Sequence, residues 1–270
     1  MTAPTEIRPA EVAESTVEVR GSRVRLLTAG TGDPVLYLHG SGDLGGWLPA
    51  HSALAADYTV IRPDLPGFNH SEPRKDVGTI SDLAFRIWDL VDELGLETLR
   101  VVGSSLGGWL AADLATIEPS RISHLVLVDA AGLRPVGGHG VDMFVLSPAE
   151  ILARTYHSQA MRDQMVAAAG ERENDPDAFL LMLRNRAATA KLAWNPYFHD
   201  VRLPDRLHRV RARTLAVWGA EDQLVPVECG QRYAELIPDA RLHTIAGCGH
   251  LPQLERTEEF LAAVTPFLAS

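Results

Sequence analysis

Short apolar runs alternate with amphipathic segments along most of the chain. Several of these runs end in glycine or proline, which is typical of short strands buried in a parallel sheet. A more polar segment at 17–30 predicts a hairpin with its turn at Gly21 and Ser22. We predict further strands within 34–40, 59–67, 99–105, 122–132, 213–222 and 241–250.

The segments between the predicted strands have helical spacing. In 79–96 the apolar residues Leu83, Ile87 and Leu90 recur every three or four positions, and Thr79 is placed to cap the helix. Helices are predicted over 79–96, 106–119, 227–238 and 254–269. Alternating strands and helices favour right-handed crossovers, so the predicted fold is α/β with a doubly wound, mostly parallel β-sheet.

The alternation is interrupted once, between 133 and 204, where no strand pattern occurs. Two helical patterns, 147–170 and 175–194, fill this segment, which is entered through Gly137, Gly138 and Gly140. We therefore expect a helical cap insertion over the carboxyl ends of the strands. The predicted domains are a flexible leader (1–16), an α/β core (17–132 and 205–270) and the cap (133–204).

Composition and charge narrow the possible partners. The chain has 270 residues and is 46% apolar, which suits one large α/β unit, and no apolar run approaches a membrane span. A net charge of −10 argues against nucleic acid and anionic membrane surfaces as partners. The N-terminus lacks a signal-peptide pattern, and two cysteines, Cys229 and Cys248, fit a reducing compartment, so a cytoplasmic location is expected.

Two adjacent serines lie between a predicted strand and a predicted helix in VVGSSLGG (101–108). A nucleophile elbow needs small residues two positions before and after the serine, because the chain passes close to itself there. With Ser105 at the centre those positions are Gly103 and Gly107. With Ser104 they would be larger residues, so Ser105 is the predicted nucleophile. The turn lacks the P-loop and GxGxxG patterns, and no cofactor is predicted.

An acid and a histidine follow Ser105 in the order that this arrangement requires. Asp222 comes just after a predicted strand, and His250 lies in the loop before the last helix. We predict that Ser105 attacks, that His250 takes and returns its proton, and that Asp222 orients and stabilises the imidazolium. The neighbouring Glu221 is expected to face solvent.

An oxyanion hole is predicted at HGSGDLGGW (39–47), where glycines let backbone amides face the nucleophile. The expected donors are the amides of Ser41 and Leu106, with Gly42 as the next choice. His39 precedes the turn, and we expect it to brace the loop by hydrogen bonding.

The motifs HGSG, GSSLGG, WGAEDQLVP and GCGHLPQLE together resemble the α/β-hydrolase superfamily, across nearly the whole chain outside the leader. A serine at the elbow argues against the haloalkane dehalogenases and epoxide hydrolases, which use aspartate there. HGSGDLGGW is similar to a loop of hydrolases that cleave carbon–carbon bonds in ring-fission products. Those enzymes usually have asparagine before the nucleophile and an aromatic residue after the histidine; this chain has Ser104 and Leu251.

The cap carries more aromatic and apolar residues than two solvent-covered helices require, and we expect some of them to line an apolar pocket. The predicted substrate-binding residues are Gly40, Gly42, Phe144, Trp194 and Leu251. The remaining histidines show no paired ligand spacing, so no metal is predicted.

Three functions are compatible with these motifs. The leading one is hydrolysis of small apolar or aromatic carboxylic esters through an acyl-enzyme. The second is carbon–carbon bond hydrolysis of a vinylogous diketone, which a basic cap residue such as Arg184 or Arg186 facing the pocket would favour. The third is acyl transfer, or ligand sensing with slow turnover. The expected partner is a small molecule, and the oligomeric state is left open.

Overall fold

The computed structural model describes residues 11–135 and 141–270. The predicted glycine connection (Gly137, Gly138 and Gly140) lies outside these residues. The described strands are β1 (Ala13–Val19), β2 (Ser22–Ala29), β3 (Pro34–Leu38), β4 (Thr59–Pro63), β5 (Leu99–Ser104), β6 (Ile122–Val128), β7 (Arg213–Gly219) and β8 (Ala240–Ile245). They form one sheet in the order β1-β2-β4-β3-β5-β6-β7-β8. The β1–β2 and β2–β4 pairs are antiparallel and the others are parallel, which confirms the predicted fold class.

The helices in the described ranges are α1 (Pro49–Leu54), α2 (Ile80–Glu93), α3 (Leu106–Ile117), α4 (Pro148–Thr155), α5 (Gln159–Glu173), α6 (Pro176–Ala193), α7 (Val227–Leu236), α8 (Pro252–Glu255) and α9 (Thr257–Leu268), with a 3-10 turn at Leu207–Arg209. None of them is long and apolar enough to cross a membrane. The predicted cap of α2 is present, since the Thr79 hydroxyl accepts a hydrogen bond from the Asp82 amide.

Helices cover both faces of the sheet because neighbouring strand residues point to opposite sides. On β3, Leu36 and Leu38 pack in the apolar layer that contains α2, α3 and α7, whereas Val35 and Tyr37 pack in the layer that contains α1 and α9. The carboxyl ends of the parallel strands meet at one edge, and the loops that follow them build the site described below.

The first strand begins earlier than predicted. Residues 13–16, assigned to the flexible leader, pair in β1 with residues 25–28 of β2. Their side chains are exposed, so they carry no apolar signal, and backbone pairing with β2 determines their structure. The turn also lies one residue earlier, at Arg20 and Gly21, both of which have positive φ.

The described part of the inserted segment, 133–135 and 141–204, contains three helices where the sequence predicted two. The pattern at 147–170 is divided into α4 and α5, because the Ser158 hydroxyl caps a new helix by accepting from the Met161 amide. The second pattern forms α6, whose first turn is capped by Asp175. The predicted terminal helix is likewise divided at Arg256 into α8 and α9.

Candidate active site

Ser105 lies in a strained turn between β5 and α3, with φ 54° and ψ −117°. The turn is so tight that an added Cβ at Gly103 would be 2.3 Å from the Gly107 carbonyl oxygen. A Cβ at Gly107 would be 2.2 Å from the Leu38 carbonyl oxygen. Side chains are therefore excluded at both positions, for the steric reason that the sequence pattern suggested.

The structure brings Ser105, His250 and Asp222 into one hydrogen-bonded chain. His250 Nε2 is 2.9 Å from Ser105 Oγ, and His250 Nδ1 is 2.7 Å from Asp222 Oδ2. The other Asp222 oxygen accepts from the amides of Leu224 and Val225, at 2.8 and 3.0 Å. All three side chains are buried, so the geometry suits proton transfer from the serine to the imidazole.

The histidine loop is held by contacts from several elements. The His250 amide donates to the Thr155 carbonyl oxygen of α4 at 2.6 Å, and the Gly249 amide donates to Glu255 at 2.7 Å. Glu221 does not point freely into solvent as predicted, because its carboxylate accepts from the Cys248 amide at 2.9 Å. Glu221 thus ties the loop after β7 to the loop that carries His250.

A second buried acid, Asp129, was missed by the sequence analysis. It follows β6 with φ 43°, and its Oδ1 accepts from the Gly219 amide at 3.0 Å. Burial raises the pKa of Asp129 well above its ordinary value, and the neighbouring Asp222 carboxylate raises it further. The signal that identified Asp222, an acid directly after a buried strand, also applies to Asp129.

Among the described residues, one group has the spacing of a metal site. It consists of Asp129, Asp222 and His250, and one ligand atom of each lies within 4.8 Å of the others. Both imidazole nitrogens of His250 already have partners, in Asp222 and Ser105. The arrangement therefore matches a proton relay with an adjacent acid, and the prediction that no metal is required stays a prediction.

The loop after β3 lies against the nucleophile. An added Cβ at Gly40 would be 3.2 Å from Ser105 Cβ, and Ser41 and Gly42 face the same cavity as Ser105. Leu106 begins α3, and the first amides of a helix have no acceptor within it. This placement makes the amides of Ser41 and Leu106 the candidates for an oxyanion hole.

His39 stabilises this loop through two hydrogen bonds of its imidazole ring. Its Nε2 accepts from the Leu65 amide at 3.0 Å, so Nδ1 carries the proton and donates to the Gly40 carbonyl oxygen at 2.8 Å. Burial lowers the pKa of His39, which keeps the ring in the neutral form that these two bonds require.

A cavity of about 550 Å³ is lined by Ser105 and His250. A second cavity of about 230 Å³ adjoins it and is lined by residues of α5 and α6. The two share Ser41, Gly42, Leu44, Met143, Ile151, Leu152, Arg172 and Ala178 as lining residues. The first cavity is lined mainly by apolar side chains, among them Leu48, Met165, Leu181, Leu224, Leu251 and Leu254.

The predicted substrate-binding residues are distributed unevenly over these cavities. Gly40, Gly42 and Leu251 line the first cavity, and Gly42 and Phe144 line the second. Trp194 does not line either one. It follows the last turn of α6, is 58% exposed and packs against the Phe144 ring at 5.0 Å, so its side chain lies outside both cavities.

Basic cap residues differ in their access to the cavities. Arg184 donates to the Ser71 carbonyl oxygen and does not line either cavity, while Arg186 lines the second but donates to the Phe144 carbonyl oxygen at 2.7 Å. Arg172 of α5, which the sequence analysis did not single out, lines both cavities.

Comparison with known proteins gives matches over most of the chain. The model of the alpha/beta hydrolase family matches residues 35–263. The chain is 28% identical over 271 residues to a 2-hydroxy-6-oxo-6-phenylhexa-2,4-dienoate hydrolase of Burkholderia cepacia, with 92% of each chain covered. It is 33% identical over 260 residues to a 2-hydroxy-6-oxononadienedioate/2-hydroxy-6-oxononatrienedioate hydrolase 2 of Pseudomonas putida, with 87% of each covered.

A solved structure is similar over the same extent. The meta-cleavage product hydrolase from Pseudomonas fluorescens IP01 superimposes with a TM-score of 0.78 at 26% identity, covering 94% of this chain and 97% of that one. The family match, the relatives and the shared fold lead to one assignment: this chain belongs to the alpha/beta hydrolase family and is an enzyme of the hydrolase class.

Proposed function

We propose that the protein is a serine hydrolase of small to medium carboxylic esters that carry an apolar or aromatic group. The observation that carries the proposal is the bonded chain Ser105–His250–Asp222, which opens into a mainly apolar cavity. Such a cavity binds an apolar acyl or alcohol group by removing its surface from water.

The reaction follows from the positions of these groups. His250 Nε2 accepts the Ser105 proton as Oγ attacks the ester carbonyl, and Asp222 stabilises the imidazolium through Nδ1. The amides of Ser41 and Leu106 donate to the oxyanion of the tetrahedral intermediate. The imidazolium then protonates the leaving alkoxide, and an acyl-enzyme remains on Ser105. Water activated by His250 cleaves this acyl-enzyme and returns the proton to Ser105.

The test is hydrolysis of p-nitrophenyl esters from C2 to C12 by the wild type and by Ser105→Ala. We expect turnover that falls by about 10⁴-fold or more in Ser105→Ala, since the nucleophile is lost. Ser123→Ala, at a serine on β6 outside the described cavities, is the matched control and keeps its activity. Turnover that survives in Ser105→Ala contradicts the proposal.

A second candidate is hydrolysis of a carbon–carbon bond in a vinylogous diketone. Two findings favour it. The relatives from Burkholderia cepacia and Pseudomonas putida are named as hydrolases of 2-hydroxy-6-oxo dienoates and dienedioates. In addition, Arg172 lines both cavities and offers a cation for a substrate carboxylate. Against it stand Ser104 and Leu251, where the resemblance expects asparagine and an aromatic residue.

The two candidates differ in their response to Arg172→Gln. If the second candidate is correct, kcat/KM for 2-hydroxy-6-oxo-6-phenylhexa-2,4-dienoate should fall by about tenfold or more in this variant. The reason is that the charge-assisted hydrogen bond between Arg172 and the substrate carboxylate is lost. Neutral p-nitrophenyl esters lose little in the same variant. Acyl transfer or sensing with slow turnover would instead give labelling of Ser105 by a fluorophosphonate with negligible hydrolysis of either substrate.

A further inference from the structure

Helix α6 has apolar side chains on two faces. Its inner face carries Ala178, Leu181 and Met182, which line the cavities described above. Its outer face carries Leu180 and Leu183, which line neither of those two cavities and are 61% and 43% exposed. The described part of the chain therefore accounts for the apolar residues of one face and leaves those of the other in solvent.

The outer apolar positions follow a heptad spacing that ends at Trp194, the residue directly after α6. They are separated by four, three, four, three and four residues, in the order Pro176, Leu180, Leu183, Ala187, Ala190 and Trp194. All of them are exposed or partly exposed, and we call them the seam. A stripe restricted to the two apolar positions of each heptad is typical of a helix that packs against another helix.

The sizes of the seam residues fit a second copy of the same helix running in the opposite direction. If two α6 helices are placed antiparallel about a twofold axis at position 185, each leucine of the seam meets an alanine. Leu183 faces Ala187 of the second copy, and Leu180 faces Ala190 of the second copy. A bulky residue opposite a small one allows two helices to pack closely, and the twofold axis makes each contact twice.

The charges beside the seam have the order that an antiparallel pair requires. Asp177 and Lys191 are two heptads apart and so lie on the same side of the seam, at opposite ends of α6. Neither takes part in an ion pair between described residues, although Lys191 donates to the Arg74 carbonyl oxygen at 3.0 Å. Antiparallel pairing brings Asp177 beside Lys191 of the second copy, whereas parallel pairing brings like charges together. Arg184 comes close to the axis, and its bond to the Ser71 carbonyl oxygen holds it on its own chain.

We propose that the seam of α6 is an interface at which two copies of this chain pair antiparallel to form a twofold-symmetric dimer. An anionic membrane surface is a poorer match, because the chain has a net charge of −10 and membrane-surface helices carry a broader apolar face. The 18 residues of α6 give an interface about 27 Å long. Interfaces of this small size are weak, so we expect a dissociation constant of about 10 μM.

The dimer is tested by sedimentation velocity on the full chain from about 1 to 200 μM, a range that spans the expected dissociation constant. We expect the mass to rise from that of one chain to that of two. Leu183→Glu places an unpaired carboxylate in the seam of each copy and should raise the dissociation constant by about 30-fold or more. Phe85→Glu is the matched control, since Phe85 of α2 is 52% exposed and lies outside the seam, and it should leave the dissociation constant unchanged.

A charge exchange tests the antiparallel direction. Asp177→Lys alone and Lys191→Glu alone each place like charges together twice per dimer, so each should raise the dissociation constant by about fivefold or more. The double variant Asp177→Lys/Lys191→Glu restores opposite charges, and its dissociation constant should return to within about twofold of the wild type. A seam that binds an anionic membrane would behave differently, because Asp177→Lys alone would then strengthen binding.

Three results overturn the proposal. The first is the mass of one chain at every concentration, and the second is a dimer whose dissociation constant is the same in Leu183→Glu as in Phe85→Glu. The third is a double charge variant that pairs no better than either single variant, which excludes the antiparallel arrangement. A single chain in solution that sediments with phosphatidylglycerol vesicles, and loses this in Leu183→Glu, would assign the seam to a membrane surface instead. None of these measurements depends on the reaction at Ser105.

Discussion

Asp129 and Asp222 place two carboxyl groups in one buried space behind the His250 ring. Asp222 accepts from two amides and from His250, which are the bonds of an ionised carboxylate. Asp129 accepts from the Gly219 amide alone, and its second oxygen has no partner among the described residues. Two adjacent carboxylates repel each other, so the proton is expected on Asp129. Glu255 adds to this repulsion, because its negative charge also raises the pKa of Asp129.

A proton held on Asp129 makes stability depend on pH. The unfolded chain releases this proton near the ordinary aspartate pKa of about 3.9, whereas the folded chain keeps it to higher pH. Folding therefore loses stability as the pH rises through that window. Asp129→Asn keeps the neutral shape and removes this loss, so we expect it to raise the free energy of unfolding by about 1 kcal/mol or more at pH 7, and by less at pH 4.

Urea denaturation of the wild type and the variant between pH 4 and pH 8 measures this difference. Asp57→Asn, at an exposed aspartate, is the control and should give a difference that does not grow with pH. A difference for Asp129→Asn that stays constant from pH 4 to pH 8 would show that Asp129 is ionised in the folded protein.

The role of a single residue could be predicted from the sequence where the contacts that constrain it come from residues close to it in the chain. Ser105 is identified by Gly103 and Gly107: a Cβ at Gly103 would clash with the Gly107 carbonyl oxygen of the same turn, although the clash at Gly107 is with Leu38 of the neighbouring strand β3. The position of Glu221 is not local: its partner is the amide of Cys248, which the sheet brings beside it. The buried hydrogen bond from Gln253 to Ser104 likewise depends on how α8 packs against the end of β5.

At the scale of elements, buried charged side chains join β4 to the loop that follows β3. Arg62, near the end of β4, is fully buried and donates to Asp64 Oδ1 at 2.7 Å and to the Asp43 carboxylate. Asn185 of α6 extends the contact, since its amide donates to the Asp43 carbonyl oxygen and to Asn69 Oδ1, at 2.8 Å each. The loop that presents Ser41 is thus held from the sheet and from the cap.

Removing the cation from this network should be strongly destabilising. Arg62→Met removes the closer of the two guanidinium groups bonded to the buried Asp64 carboxylate, leaving Arg25 at 3.2 Å. It also removes the partner of Asp43. We expect it to lower the free energy of unfolding by about 3 kcal/mol. Arg20→Met is the matched control: it breaks an ion pair to Asp89 whose arginine side chain is 70% exposed, and should lower stability by about 1 kcal/mol at most. Equal losses in the two variants, measured by urea denaturation, would contradict a structural role for the buried pair.

Elements were predictable where burial gives a periodic pattern. The strands β3 to β7 are mostly apolar, are largely buried and end in short turn signals, so their positions along the chain and the mostly parallel sheet could be predicted from the sequence, whereas their order in the sheet was not predicted. The exposed residues of β1 have no such pattern. The break between α4 and α5 was also missed, because the amides of His157 and Ser158 at the break bond to Glu255, which is distant in the sequence.

At the scale of the whole molecule, Glu255 joins the inserted helices to the histidine loop. One of its oxygens accepts from the Ser158 amide at 2.5 Å, and the other accepts from the amides of His157 and Gly249 at 3.2 and 2.7 Å. The Thr155 carbonyl oxygen completes the junction by accepting from the His250 amide. The segment that covers the cavity and the loop that presents the imidazole therefore share one anchor.

Glu255→Gln tests whether this anchor positions His250. The side chain keeps one acceptor oxygen, but its NH₂ group faces amide donors and the charge-assisted bonds are lost. We expect the free energy of unfolding to fall by about 2–3 kcal/mol. We also expect kcat/KM for p-nitrophenyl esters to fall by about tenfold or more, because a small displacement of the imidazole from Ser105 Oγ misaligns proton transfer.

Glu258→Gln, at an exposed glutamate on α9, removes the same charge without touching the junction and should change neither quantity appreciably. Denaturation and ester kinetics on the same preparations separate the two consequences. A loss of stability with unchanged kcat/KM would mean that the inserted helices are anchored at Glu255 but that His250 is held independently, by Asp222 and Thr155. A loss of kcat/KM with unchanged stability would place the effect at the imidazole alone. A loss of both, absent from Glu258→Gln, is the result expected if one anchor serves the cap and the histidine loop together.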